Sequence, residues 1–142
     1  MLTRLITTDT RIKVSSTLDS SLGKSCLVDG SPETCWTSQQ AHIIQGLPQY
    51  IQLSFSSPVT PRRISLTFQG GFVGTTCVVI TRSQDATSWQ ELTRIYPEDV
   101  NRAQIFDLTA GEPLKGMKLV FEESSDFFGR ITVYDLMIEG EV

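Results

Sequence analysis

Apolar and polar residues alternate with a period of two along much of the chain. In Tyr50-Ile51-Gln52-Leu53-Ser54-Phe55, residues Ile51, Leu53 and Phe55 fall on one side, and Ile64, Leu66 and Phe68 do the same in Arg63-Ile64-Ser65-Leu66-Thr67-Phe68-Gln69. Successive side chains of an extended strand point to opposite faces, so each run predicts a strand with one face in the core. β-branched and aromatic residues predict further strands over Thr75 to Thr81, Trp89 to Tyr96, Ala103 to Leu108, Leu114 to Glu122 and Arg130 to Glu139. Helical periodicity is nearly absent. Leu18 and Leu22 stand four apart, but Gly23 interrupts, leaving at most one turn before Asp29. Short strands separated by Gly, Pro, Ser and Asp turns, with no repeat and no internal linker, predict an all-β chain, an antiparallel β-sandwich of the jelly-roll kind, with residues 1–142 as a single domain.

The length of 142 residues suits one domain, and 39% hydrophobic residues supply a core that needs no metal or disulfide staple. Charge narrows the partners. Twelve Lys and Arg against 16 Asp and Glu leave a net charge of -4, which disfavours nucleic acid, since affinity there rests on clustered cations that release counterions. The one compact basic spot, Arg62-Arg63 after Pro61, reads as a solvated turn. No stretch approaches the roughly 18 apolar residues of a membrane span. Arg4 and Asp9 bracket a mixed segment where a secretory signal needs about 7–15 apolar residues in a row, which predicts a nuclear or cytoplasmic protein that is not secreted. Cys26, Cys35 and Cys77 are odd in number and lack a Cys-x-x-Cys spacing, and are expected as reduced thiols.

Catalytic chemistry is poorly supplied. The single histidine, His42, has no Gly-x-Ser-x-Gly elbow to serve, and Gly70-Gly71-Phe72-Val73-Gly74 has neither the spacing nor the following helix of a dinucleotide loop. The adjacent acids Glu98-Asp99 and Glu122-Glu123 point to opposite sides of an extended chain. A non-enzymatic protein is predicted. Candidate contacts lie instead in the loops. Glycines 70, 71 and 74 can present Phe72 at an edge, Gly129 can turn the chain after Phe127-Phe128, and these aromatics either stand at loop tips as binding anchors or fold inward as core plugs. Arg130 is expected to pair with Asp29, Glu33 or Asp126. Phe72, Phe127, Arg130, Asp126 and Trp36 are the candidate partner-binding residues.

The run Leu27-Val28-Asp29-Gly30-Ser31-Pro32-Glu33-Thr34-Cys35-Trp36-Thr37-Ser38 combines turn chemistry with an aromatic able to plug the sandwich end. It resembles the Asp-Gly-x-x-x-Thr-x-Trp opening loop of galactose-binding-like, discoidin-type (coagulation factor type C) jelly rolls, and the likeness extends to the closing Tyr134-Asp135-Leu136-Met137-Ile138-Glu139-Gly140. Phe68-Gln69-Gly70-Gly71-Phe72, Tyr96-Pro97-Glu98-Asp99 and the run from Phe121 to Arg130 are similar to the small nuclear receptor-associated proteins of this fold. That resemblance implies a repressor-like co-regulator without enzymatic activity whose partner is an orphan nuclear receptor. The wider fold implies a structural calcium, with Asp29, the Thr34 hydroxyl, loop carbonyls and Asp135 as its ligands; otherwise Asp29 caps the turn and Asp135 is solvated or paired with Arg130. It also offers two competing readings, a lectin-like module with a sugar ligand and a small subunit of a ciliary assembly.

Overall fold

The computed structural model describes residues 2–39, 46–109 and 111–142. Among the described residues nine strands follow in chain order: β1 (Thr3–Arg4), β2 (Arg11–Val14), β3 (Trp36–Thr37), β4 (Gln49–Phe68), β5 (Thr76–Ser83), β6 (Gln90–Ile95), β7 (Ala103–Asp107), β8 (Leu114–Glu123) and β9 (Thr132–Glu141). All their pairings are antiparallel.

The long strand β4 organises the sandwich. Its first half pairs with β2 and β8, and β8 continues through β5 to β6, giving a front sheet in the order β2-β4-β8-β5-β6. Its second half pairs with β9 and β7, and β9 carries β1 and β3, giving the back sheet. The two runs expected as separate strands are therefore one. Between Ser54 and Val59 the register on β8 shifts, and Ser56 and Ser57 are exposed there. A strand that passes from one sheet to the next bends at such an irregularity rather than ending.

The alternation read from the sequence sets the core. Ile51, Leu53, Met117, Leu119, Phe121, Cys77 and Val79 of the front sheet face Ile64, Leu66, Phe68, Val133 and Ile138 of the back sheet, all fully buried. Phe68 meets Phe121 edge to face across the layers, ring centres 5.8 Å apart at 81°. That geometry sets the positive ring edge against the negative ring face. The strands that the pattern did not reveal are short, two to four residues each. The single turn expected before Asp29 is instead two consecutive 3₁₀ turns, Ser20–Leu22 and Lys24–Leu27, the first capped by Asp19, whose carboxylate accepts from the Ser21 amide at 2.9 Å. Cys26, Cys35 and Cys77 are free thiols, with Cys26 and Cys77 buried.

Candidate functional site

Three loops, 69–75, 96–102 and 124–131, are stitched into one end of the sandwich. The Gly71 amide donates to Asp99 Oδ1 at 2.7 Å, the Gly70 amide donates to Asn101 Oδ1, and the Ser125 hydroxyl donates to the same Asp99 oxygen at 3.2 Å. Val73 and Ser125 exchange two bonds: the Ser125 amide donates to the Val73 carbonyl at 2.9 Å, and the Val73 amide to the Ser125 hydroxyl at 2.9 Å. The Phe72 carbonyl accepts from the Thr132 amide at 3.0 Å, tying the first loop to the start of β9. Gly71 and Gly129 take left-handed backbone angles, φ +90° and +79°, which their lack of a Cβ permits. Asp99, Asn101 and Ser125 escaped the sequence reading. Their signal was only that short polar side chains in loops bond to nearby backbone.

Each candidate contact residue now has a place. Phe127 stands at the tip, 79% exposed, with its ring edge to face against Phe128 at 5.1 Å. Phe72 is half-buried, and the Arg130 guanidinium lies over its ring, 4.1 Å from the centroid. The ion pair expected of Arg130 does not form among the described residues. Asp126 turns its carboxylate to the Arg130 backbone amide at 2.9 Å, closing the turn, so the guanidinium stacks on an aromatic face instead, and its Nε is buried without a hydrogen-bond partner. Trp36 does not join this surface. It is fully buried and gives its indole N–H to the Ser16 carbonyl at 3.0 Å, which makes it the plug of the opening loop. His42 lies outside the described residues.

The opening loop joins the start of β9 next to these loops, through the pairing of Trp36 with Val133 and the Ser38 amide, which donates to the Ile131 carbonyl at 2.9 Å. The Asp29 carboxylate accepts from the Thr34 hydroxyl and from the Ser31 amide at 3.0 Å, and these bonds, the first above all, hold its pKa below the ordinary carboxylate value. Asp135 is pushed up, first by burial and then by the negative charge of Asp29, against the opposing pull of Arg4. With Arg4, Gly30, Ser31, Pro32, Thr67 and Tyr134 it borders a groove of about 460 Å³. Calcium takes six to eight converging oxygens; here each Asp29 oxygen accepts a hydrogen bond within its own loop, and the Arg4 guanidinium flanks Asp135. Melting curves in calcium and in chelator are expected to coincide. A bound ion at 100 times its Kd would add about 2.7 kcal/mol, a shift of several degrees that would restore it to the loop.

No protein-family model matches the chain. Among solved structures it is similar to the family 32 carbohydrate-binding module of NanJ from C. perfringens in complex with galactose, at a TM-score of 0.80 and 14% identity over 98% of this chain and 99% of that one. It is also similar to an F5/8 type C domain from Bacteroides fragilis, at 0.82 and 13% over 99% and 97%. At such identities these likenesses show the fold alone, a galactose-binding-like jelly roll. Curated relatives reach further. The nuclear receptor 2C2-associated protein of Danio rerio is 39% identical over 140 residues, covering 96% of this chain and 95% of its own. The Homo sapiens protein of the same name is 34% identical over 140 residues, covering 96% of each. Similarity of this depth over nearly the whole length shows that the chain belongs to the nuclear receptor 2C2-associated protein family.

Proposed function

We propose that residues 1–142 form one non-enzymatic docking domain that presents the 70–74 and 124–130 loops to a nuclear receptor and acts in the nucleus or cytoplasm as a co-regulator of it. The observation that carries this reading is Phe127, a large aromatic left 79% exposed on loops that are themselves fixed by hydrogen bonds to Asp99, Ser124, Ser125 and Asp126. An aromatic held on a rigid frame loses little entropy on docking and buries a large apolar area, the profile of an interface anchor. Beside it, Phe72 and Arg130 form a stacked pair that offers a ring edge and a guanidinium together. The relatives' name supplies the class of partner. The sugar-binding reading has only the shared fold behind it.

The test is direct binding of the purified chain to nuclear receptor 2C2. Phe127→Ala is expected to weaken binding about 30-fold or more, the effect of losing an anchor of 2 kcal/mol, while costing the fold no more than the roughly 0.5–1.5 kcal/mol of its edge-to-face contact with Phe128, because the ring is otherwise exposed. A second variant, Phe72→Ala with Arg130→Ala, should weaken binding as well. Receptor binding that survives both variants would move the site to another surface, and absence of binding by the wild-type chain would remove the receptor as partner.

A further inference from the structure

The outward face of the front sheet carries charge opposite in sign to the whole chain. Register places its side chains in two rows across the strands. Lys13 of β2 lies opposite Gln52 of β4, which lies opposite Lys118 of β8; two residues along, Arg11 lies opposite Ser54, Ser54 opposite Gly116, and Gly116 opposite Arg82 of β5. With strands about 4.8 Å apart, Lys13 and Lys118 are set about 10 Å apart and Arg11 and Arg82 about 14 Å, and the two rows are separated by about 7 Å. Four cations thus frame a patch in a chain of net charge -4.

Aromatic rings are set between them. Trp89 lies over Gly116, where an added Cβ would come within 2.8 Å of the indole, so the glycine makes room for the ring. The Lys118 ammonium is 4.5 Å from the Tyr50 ring centre and 5.6 Å from that of Trp89, and the Arg82 guanidinium is also 5.6 Å from the Trp89 ring centre. Arg11, Lys13, Arg82 and Lys118 enter none of the ion pairs found among the described residues. The carboxylates at the β6 side, Glu91 and Glu122, are both held by Arg94, at 3.5 and 2.9 Å. On the back sheet, by contrast, Arg62 and Arg63 are matched to Glu141, Asp107 and Glu139. Beyond β2 the patch runs on into an open groove of about 730 Å³ bordered by Arg11, Lys13 and Lys24 together with threonine and serine hydroxyls and no carboxylate.

We infer that this face docks an acidic, extended peptide segment of a partner protein. An extended peptide lying along the strand direction places alternate side chains about 7 Å apart, the separation of the two rows, so carboxylates at alternate positions meet one row each. The residues between them point away from the sheet, so Trp89 and Tyr50 meet the peptide backbone and the methylene stems of its carboxylate side chains. Cations already stacked on rings are partly ordered and partly desolvated, so a carboxylate closing on them gains more than it does from a free surface lysine. The net negative charge of the chain opposes long-range attraction of a polyanion such as nucleic acid, and favours a ligand of few charges matched in position. The proposal concerns a different surface from the loop end and does not rest on that reading.

The probe is a short fluorescein-labelled peptide alternating glutamate with tyrosine or threonine, followed by anisotropy at low salt. The wild-type chain is expected to bind it, with affinity falling at high salt. Lys118→Glu and, separately, Lys13→Glu at an exposed position should each weaken it by about tenfold, with circular dichroism confirming the fold. Arg62→Glu on the back sheet changes the net charge equally and should leave affinity within about twofold. Binding that is indifferent to the two front-sheet variants overturns the proposal, as does an equal loss with Arg62→Glu. Tighter binding of a single-stranded oligonucleotide of the same charge would overturn the peptide as occupant.

Discussion

Trp36→Ala is expected to lower the folding free energy by about 3–5 kcal/mol, the range for emptying a buried aromatic site. The indole is fully buried, and its N–H is bonded to the Ser16 carbonyl at 3.0 Å. Removing it leaves both a cavity and an acceptor without its donor, and the second term alone is worth about 1–3 kcal/mol. Trp36 also sits in β3, opposite Val133 of β9, so the opening loop depends on it for attachment to the back sheet. A loss of that size is a large part of the roughly 5–15 kcal/mol that holds a domain of this kind together. Urea unfolding measures it. Trp36→Phe, which keeps most of the volume but not the hydrogen bond, should fall between wild type and alanine. A midpoint for Trp36→Ala close to that of the wild type would show that the ring is not the plug of the loop.

Gly140→Ala is expected to be the most damaging glycine change, at the upper end of the roughly 1–3 kcal/mol typical of overpacking. A Cβ at this position of β9 would lie 2.1 Å from the Thr60 carbonyl oxygen and 2.8 Å from Pro61 Cα, both backbone atoms of β4, and 3.0 Å from the Leu5 side chain. Neither backbone atom can move without shifting the β4–β9 pairing, which is already irregular between Pro61 and Arg63. Gly111→Ala, where an added Cβ meets nothing within 4 Å, serves as the control and should stay within about 0.5 kcal/mol of wild type. Equal melting temperatures for the two variants would mean that the strands separate more readily than this close approach implies.

The chain alone offered the plug at Trp36 as one of two roles and gave no sign of the crowding at Gly140. The glycine at position 140 looks like any other until the second half of β4 is laid against it, and Trp36 was as good a candidate for a binding surface as for a plug. Phe72, Phe127 and Phe128 show the same ambiguity. All three stand within two residues of a glycine in loops, yet Phe127 is left exposed at the tip while Phe72 is half-covered by Arg130. Arg130 itself shows how a local backbone bond redirects a side chain: because the Asp126 carboxylate closes its own turn on the Arg130 amide, the guanidinium turns to a ring.

The strands from β4 onward were legible in the chain, and for β4 and β8 so was the face that is buried. Those properties follow from local alternation, and each is settled within a few residues. The opening-loop motif and the motifs around Phe72, Tyr96 and Phe127 likewise carried the family. The rest came with the packing of distant segments: that two predicted strands are one that turns a corner, which aromatics reach solvent, and that Arg11, Lys13, Arg82 and Lys118, drawn from three strands far apart in sequence, share one face. Such properties depend on register between strands, and register is a relation between distant segments that no single segment records.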